Sequence, residues 1–159
     1  MVHKKETVNF REKAKFNSAR PIWPVGRTRT KNLMVGFRGE LAKFRGKNVK
    51  LKITGSSRYR IFVNGNFVGH GPARGPHDYY RVGEYNLTEE LSEGNNVIAI
   101  EVAGYNVNSY YLLDQPSFLQ AEVIVDAEVV LATGNKESNF ELTILPERIQ
   151  KVQRYSFQR

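Results

Sequence analysis

The chain has 159 residues, 40% hydrophobic and 25% charged, with a formal net charge of +8. That length and composition fit one globular domain, since domains cluster near ~100–150 residues. The absence of cysteine excludes a disulfide framework, a thiolate nucleophile and a Cys-ligated zinc, and no run approaches the ~20 apolar residues of a membrane span.

Met1 to Phe16 is charged and polar, without the apolar stretch of a secretory signal, and the compartment is left open. Basic residues crowd the first sixty positions, where the acids are Glu6, Glu12 and Glu40; the rest of the chain is acidic on balance. Such a patch fits a nucleic-acid footprint, the solvated face of a few strands, or a surface that docks on an acidic domain. The lysines alternate along strand-like stretches, and no helix-turn-helix, zinc-finger or RRM signature accompanies them. Nucleic-acid binding therefore ranks last among the readings.

Residues 1–22 form an extension expected to be only partly ordered, in which Pro21 and Pro24 bracket Ile22 and Trp23. From Lys47 the pattern sharpens. Val49, Leu51 and Ile53 alternate with Lys50 and Lys52, as in a half-buried strand. Ile61-Phe62-Val63 runs into Asn64-Gly65 and on to Phe67-Val68, a hairpin signal, because a type I′ turn needs φ > 0 at both central positions. Gly69, Gly71, Pro72, Gly75 and Pro76 make a punctuated loop, and His77 to Val82 reads as a short strand.

Asn86 to Leu91 reads as one helical turn, with Asn86 or Thr88 as its cap. Gly94-Asn95-Asn96 is a turn, and Val97 to Val102, poor in polar positions, is a central strand. Phe118 to Val125, Glu128 to Ala132 and Phe140 to Leu145 supply further strands, and Ile149 to Gln158 alternates as another before the chain stops at Arg159. About eight short strands with glycine-rich turns and no crossover helices predict an all-β, antiparallel β-sandwich of jelly-roll or galactose-binding-domain-like form. The expected organisation is a single sandwich over 23–159, truncated at its C-terminal end.

Glycosidase chemistry needs two carboxylates ~5–10 Å apart, one of them held protonated. Asp78, Glu84, Glu89, Glu90, Glu101 and Asp114 are the candidates, and their positions read better as solvated or ion-paired acids. His3, His70 and His77 lack metal-ligand spacing, and no phosphate-cradling or nucleophile-elbow motif is present. No cofactor is called for; a structural calcium, common in galactose-binding-like sandwiches, is left open by the sequence.

Sugar sites want aromatic faces against the C–H side of the ring and planar polar groups for the hydroxyls. Arg74, His77, Tyr79, Tyr80 and Arg81 supply both within a few residues. Trp23 is either a platform or a core plug, the second being the commoner fate of a single tryptophan in a sandwich. Tyr105, Asn106, Asn108, Tyr110 and Tyr111 form a second polar-aromatic loop, which could equally pack on a neighbouring domain. Arg58 and Arg60 share one strand face at period two; pairing with Asp78 or Glu101, so as to lock the glycine loop, is preferred over ligand or domain contact.

Ser57 to Gly69 (with Arg58-Tyr59-Arg60 and Val63-Asn64-Gly65), Gly71-Pro72-Ala73-Arg74-Gly75, Asn86-Leu87-Thr88 and Gly94 to Ala99 together resemble the N-terminal sandwich of bacterial family 78 glycoside hydrolases, the α-L-rhamnosidases. Phe37-Arg38 follows Trp23 at a fitting distance, and Trp23 to Val102 carries most of the likeness. The resemblance implies a non-catalytic accessory module. Its partner would be the parent's (α/α)₆ catalytic barrel, and rhamnose-containing glycans are possible ligands. An autonomous carbohydrate-binding module is the alternative.

Overall fold

The computed structural model describes residues 15–41, 48–76, 79–109, 112–136 and 140–148. Among these residues, nine strands form two antiparallel sheets: β1 (Leu33–Leu41), β2 (Val49–Ser56), β3 (Arg58–Val63), β4 (Asn66–Gly71), β5 (Gly83–Asn86), β6 (Asn96–Gly104), β7 (Phe118–Val125), β8 (Glu128–Ala132) and β9 (Glu141–Ile144). One sheet has the order β4-β3-β6-β1-β9 and the other β5-β2-β7-β8. A 3₁₀ turn at Thr88–Glu90 is the one helical element among the described residues, and nothing there could cross a membrane as a helix.

The alternating apolar residues meet between the sheets. Val49, Leu51 and Ile53 of β2 and Leu119, Ala121 and Val123 of β7 face Ile61 and Val63 of β3, Ile98, Ile100 and Val102 of β6, and Val35 and Phe37 of β1. Each large side chain so buried contributes about 1.5–3 kcal/mol, so the period-2 pattern and the sandwich are one fact seen at two scales. β6 is central, flanked by β3 and β1. Asn64 (φ +51°) and Gly65 (φ +85°) close the β3–β4 hairpin with both central residues left-handed.

Two elements depart from the sequence reading. β1, nine residues long, was not anticipated, although Leu33, Val35, Phe37 and Leu41 do alternate; Gly36 and Gly39 dilute its strand character. Gly39 is required all the same, because a Cβ there would collide with Leu131 and Phe140. The strand expected at 77–82 lies later, as β5, which pairs with β2 from Asn86 to Gly83. Beyond Gly83, Tyr79 and Tyr80 turn outward and are exposed, so their alternation finds no partner strand. His77 and Asp78 lie outside the described residues, as does the alternating stretch 149–158.

The part of the extension that is described is anchored. Glu122 of β7 is fully buried, and its carboxylate accepts hydrogen bonds from the backbone N–H groups of Asn17 (2.9 and 3.0 Å), Ser18 (3.0 Å) and Ala19 (3.1 Å). Arg20 N–H donates to the Thr133 carbonyl at 2.8 Å, and Ile22 bridges to Leu119. A strap thus runs across the β7 side of the sandwich into Trp23.

Candidate carbohydrate-contact cleft

A cleft of about 280 Å³ opens where the chain crosses from one sheet to the other, between the end of β2 and the start of β3. Gly55, Ser57 and Arg58 form its floor. The segment Pro72–Pro76 with Tyr79, Tyr80 and Arg81 makes one wall, and Ser109, Leu112, Leu113 and Gln115 make the other.

Each wall is tied to the strands by a hydrogen bond from a side chain. The Thr54 hydroxyl donates to the Arg81 carbonyl at 3.0 Å, and the Tyr80 ring sits edge-on to Phe118 at 4.8 Å. Opposite, the Gln115 amide donates to Ser56 Oγ at 3.2 Å, and the Ser109 hydroxyl accepts from Leu112 N–H at 3.1 Å. Behind that wall, buried Asn106 donates through Nδ2 to the Thr28 and Thr30 carbonyls (3.1 and 3.2 Å) and to Ser117 Oγ (2.8 Å). Its left-handed φ of +47° is one that Asn tolerates better than most residues. This side chain pins the loop that carries the second wall.

Below the first wall lies Tyr59, buried against Gly71 and Gly83, where any Cβ would strike its hydroxyl. Burial pushes its phenol well above the ordinary tyrosine range, and a hydrogen bond with Tyr85 adds to the effect. Tyr85 in turn donates to the His70 carbonyl at 2.8 Å. The base of the glycine loop is therefore a run of polar bonds that starts at buried Tyr59 and ends at the exposed His70.

The cleft offers three guanidinium groups (Arg58, Arg74 and Arg81), two exposed tyrosines and two leucines. Among the described residues lining it there is no Asp, Glu or His, so the carboxylate pair that glycoside hydrolysis requires is not found there. Nor do the described residues contain a group of three or more potential metal ligands. What the arrangement can do is hold a ligand: arginine forks bind planar oxygens and aromatic faces take apolar edges.

No family model and no curated protein matches the sequence. Among solved structures, a GH78 family rhamnosidase of Bacillus sp. GL1 matches 84% of the chain with a TM-score of 0.73 and 29% sequence identity. The chain matches a domain of the GH78 α-L-rhamnosidases. It spans 14% of the length of that enzyme. The α-L-rhamnosidases of Dictyoglumus thermophilum (TM-score 0.56, 14% of that chain) and Aspergillus terreus (TM-score 0.55, 15% of that chain) share the fold at 18% identity over 72% of this chain.

In this sandwich the two loops singled out from the sequence converge. Arg74, Tyr79, Tyr80 and Arg81 meet Arg58 at the cleft, facing residues from the loop after β6. The other candidates stand elsewhere. Trp23 is a core residue at 8% exposure, tilted against Phe37 at 6.0 Å, with Nε1 donating to the Arg27 carbonyl; no ring face is open to a sugar. Arg60 shares the outward face of β3 with Arg58 and pairs, as expected, with Glu101, its cross-strand neighbour, which also holds Arg148 at 3.0 Å.

Arg60 thus makes one of the two carboxylate pairs expected from the sequence, and Arg58 meets no carboxylate among the described residues. Tyr105 bonds through its backbone to Asn32 and Ser57, and Asn108 accepts from Asp114 N–H at 2.9 Å; neither lines the cleft. The cleft residues that the sequence reading passed over are Ser109, Leu112, Leu113 and Gln115. Their one signal was proximity to the polar-aromatic run 105–111.

Proposed function

We propose that this chain is a non-catalytic accessory sandwich of a rhamnosidase-like glycoside hydrolase, and that its cleft contacts carbohydrate. The observation that carries the reading is the match itself: 84% of the chain corresponds to 14% of a GH78 rhamnosidase. The cleft's composition agrees with it, since arginines and exposed tyrosines, with no carboxylate among the described lining residues, suit binding. In the intact protein the module would scaffold the catalytic barrel and help shape the substrate's approach.

Two measurements test this. The purified chain should leave an aryl α-L-rhamnoside intact; hydrolysis would overturn the assignment. Titration of isotope-labelled chain with a rhamnose-containing disaccharide should give saturable amide shifts at Arg58, Arg74–Pro76 and Tyr79–Arg81. No shift up to tens of millimolar, an affinity weaker than roughly −3 kcal/mol, would remove the carbohydrate contact.

A further inference from the structure

Between Trp23 and β1 the chain makes a loop, residues 24–32, whose backbone is fastened to the core from below. The Arg27 carbonyl accepts from Nε1 of the buried Trp23 at 3.2 Å and from Thr30 N–H at 3.0 Å. The Thr28 carbonyl accepts from Ser117 N–H at 2.7 Å and from Asn106 Nδ2 at 3.1 Å, and the Thr30 carbonyl from the same Nδ2 at 3.2 Å. Ser117 and Asn106 are both buried, and Arg27 N–H closes the tip on the Pro24 carbonyl at 3.0 Å. What the loop shows to solvent is side chains: Val25, fully exposed, and Arg27, Arg29 and Lys31, all three exposed. Asp114 stands 3.8 Å from Arg29 with both groups open to water, where such a pair gives little. Three cations within five residues on a pinned backbone repel one another, and the loop cannot relax that repulsion by spreading. An acidic partner relieves it, and a loop already ordered loses little conformational entropy on association.

We propose that residues 25–31 are a docking loop for an acidic protein surface, the cations meeting its carboxylates and Val25 entering an apolar recess among them. Charge complementarity gives the partner's sign: guanidinium takes a carboxylate in two parallel bonds. Val25 gives its class, because a phosphate backbone offers nothing to an apolar tip. The aromatic beside the loop, Trp23, lies in the core and presents no face for a base to stack on. A partner docked here lies beside the second wall of the cleft. Asn106 and Ser117 hold the loop and that wall together, and Arg29 faces Asp114, between the lining residues Leu113 and Gln115. No residue of the loop itself lines the cleft, so the proposal goes beyond the carbohydrate reading and does not rest on it.

The probe is a short peptide of glutamates around one leucine, compared with the same peptide carrying serine in its place and with a DNA duplex of equal charge. Each is titrated into isotope-labelled chain at about 0.05 M salt and again at about 0.5 M, where exposed charges are largely screened. The leucine peptide should bind saturably, with amide shifts confined to residues 25–31 and 112–115, and at least tenfold more weakly at the higher salt. Val25→Ser should abolish its advantage over the serine peptide while leaving the serine peptide's binding unchanged. Arg27→Glu combined with Lys31→Glu should abolish binding of both peptides. Lys50→Glu combined with Lys136→Glu, an equal change of charge at exposed sites elsewhere, should leave it intact. Every substituted side chain is exposed, and urea unfolding of each variant checks its fold; Val25→Ser reads the proposal independently of the charge variants. Equal loss in the two charge variants, or shifts spread to Lys50 and Lys136, would assign binding to net charge and overturn the proposal. Absence of saturable shifts would overturn it too, as would tighter binding of the duplex through the same residues, which makes the loop a phosphate site.

Discussion

Replacing Glu122 by glutamine should loosen the N-terminal strap and lower the stability of the whole sandwich. The carboxylate is fully buried and serves three backbone donors, those of Asn17, Ser18 and Ala19, with Lys52 Nζ 4.0 Å away. Hydrogen bonds to a charged acceptor contribute about 1.5–3 kcal/mol each, against about 0.5–1.5 for neutral ones. With its oxygen in the Oε2 place, glutamine still accepts from all three donors, but as a neutral group, and its NH₂ faces Asn17 N–H where Oε1 stood. Three bonds thus weaken by about 1 kcal/mol each. Two effects offset this gross loss: glutamine avoids the desolvation of a buried charge, and the strap can lift to hydrate its own N–H groups.

The strap has other ties, Arg20 to Thr133 and the Gln120 amide to the Ala19 carbonyl (both 2.8 Å), so lifting stops near Ala19. A net loss of about 2 kcal/mol follows, or roughly 4–8 °C in Tm for a chain of this size. Urea unfolding of wild type and E122Q reads the first quantity. Hydrogen exchange at Asn17, Ser18 and Ala19 reads the loosening of the strap, with protection lost there and kept in β6. A midpoint equivalent to less than ~0.5 kcal/mol, with those three amides still protected, would refute the claim that the carboxylate holds the strap.

Alkaline conditions should weaken the polar run under the glycine loop. Below pH ~10 the Tyr59 phenol is protonated in folded and unfolded chain alike. Above that the unfolded chain ionises first, because burial and the Tyr85 bond raise the folded value, so stability should fall by up to ~1.4 kcal/mol per pH unit. Urea unfolding between pH 9 and 11.5 checks this, and Tyr59→Phe should flatten the slope; an unchanged slope would assign the loss to other groups. Gly104→Ala would push a Cβ into Ser117 and within 2.9 Å of the Trp23 ring. It should cost about 1–3 kcal/mol by overpacking, and shift the tryptophan emission to the red as the indole is displaced from the core.

Strand identity was legible wherever one face is buried and the other wet, because alternation is then the direct imprint of the core. Val49-Leu51-Ile53 and the Asn64-Gly65 turn were readable on those grounds. β1 was not, although it lies between β6 and β9: its glycines carry no hydropathy signal, and the need for Gly39 comes from Leu131 and Phe140, far away in sequence. The place of Trp23 in the core was likewise set by a remote glycine, Gly104. The Arg60–Glu101 pair follows from the β3–β6 register, which no local pattern specifies.

The cleft sits on the least legible part of the fold and the best anchored. Its three segments are brought together by the crossing from β2 to β3, and each is held by a bond that does not involve the side chains offered to a ligand. Thr54 holds the Arg81 backbone, Ser56 holds Gln115, and Asn106 holds the loop behind Ser109. Arg58 and Arg81 are exposed and take part in none of these bonds through their guanidinium groups. Their substitution should therefore leave the unfolding midpoint within ~0.5 kcal/mol of wild type, as for other surface changes. Under that condition, loss of the saturable shifts with the rhamnose-containing disaccharide measures recognition. A midpoint that fell with the affinity would mean that the arginines hold the loops together, and that their role in the cleft is structural.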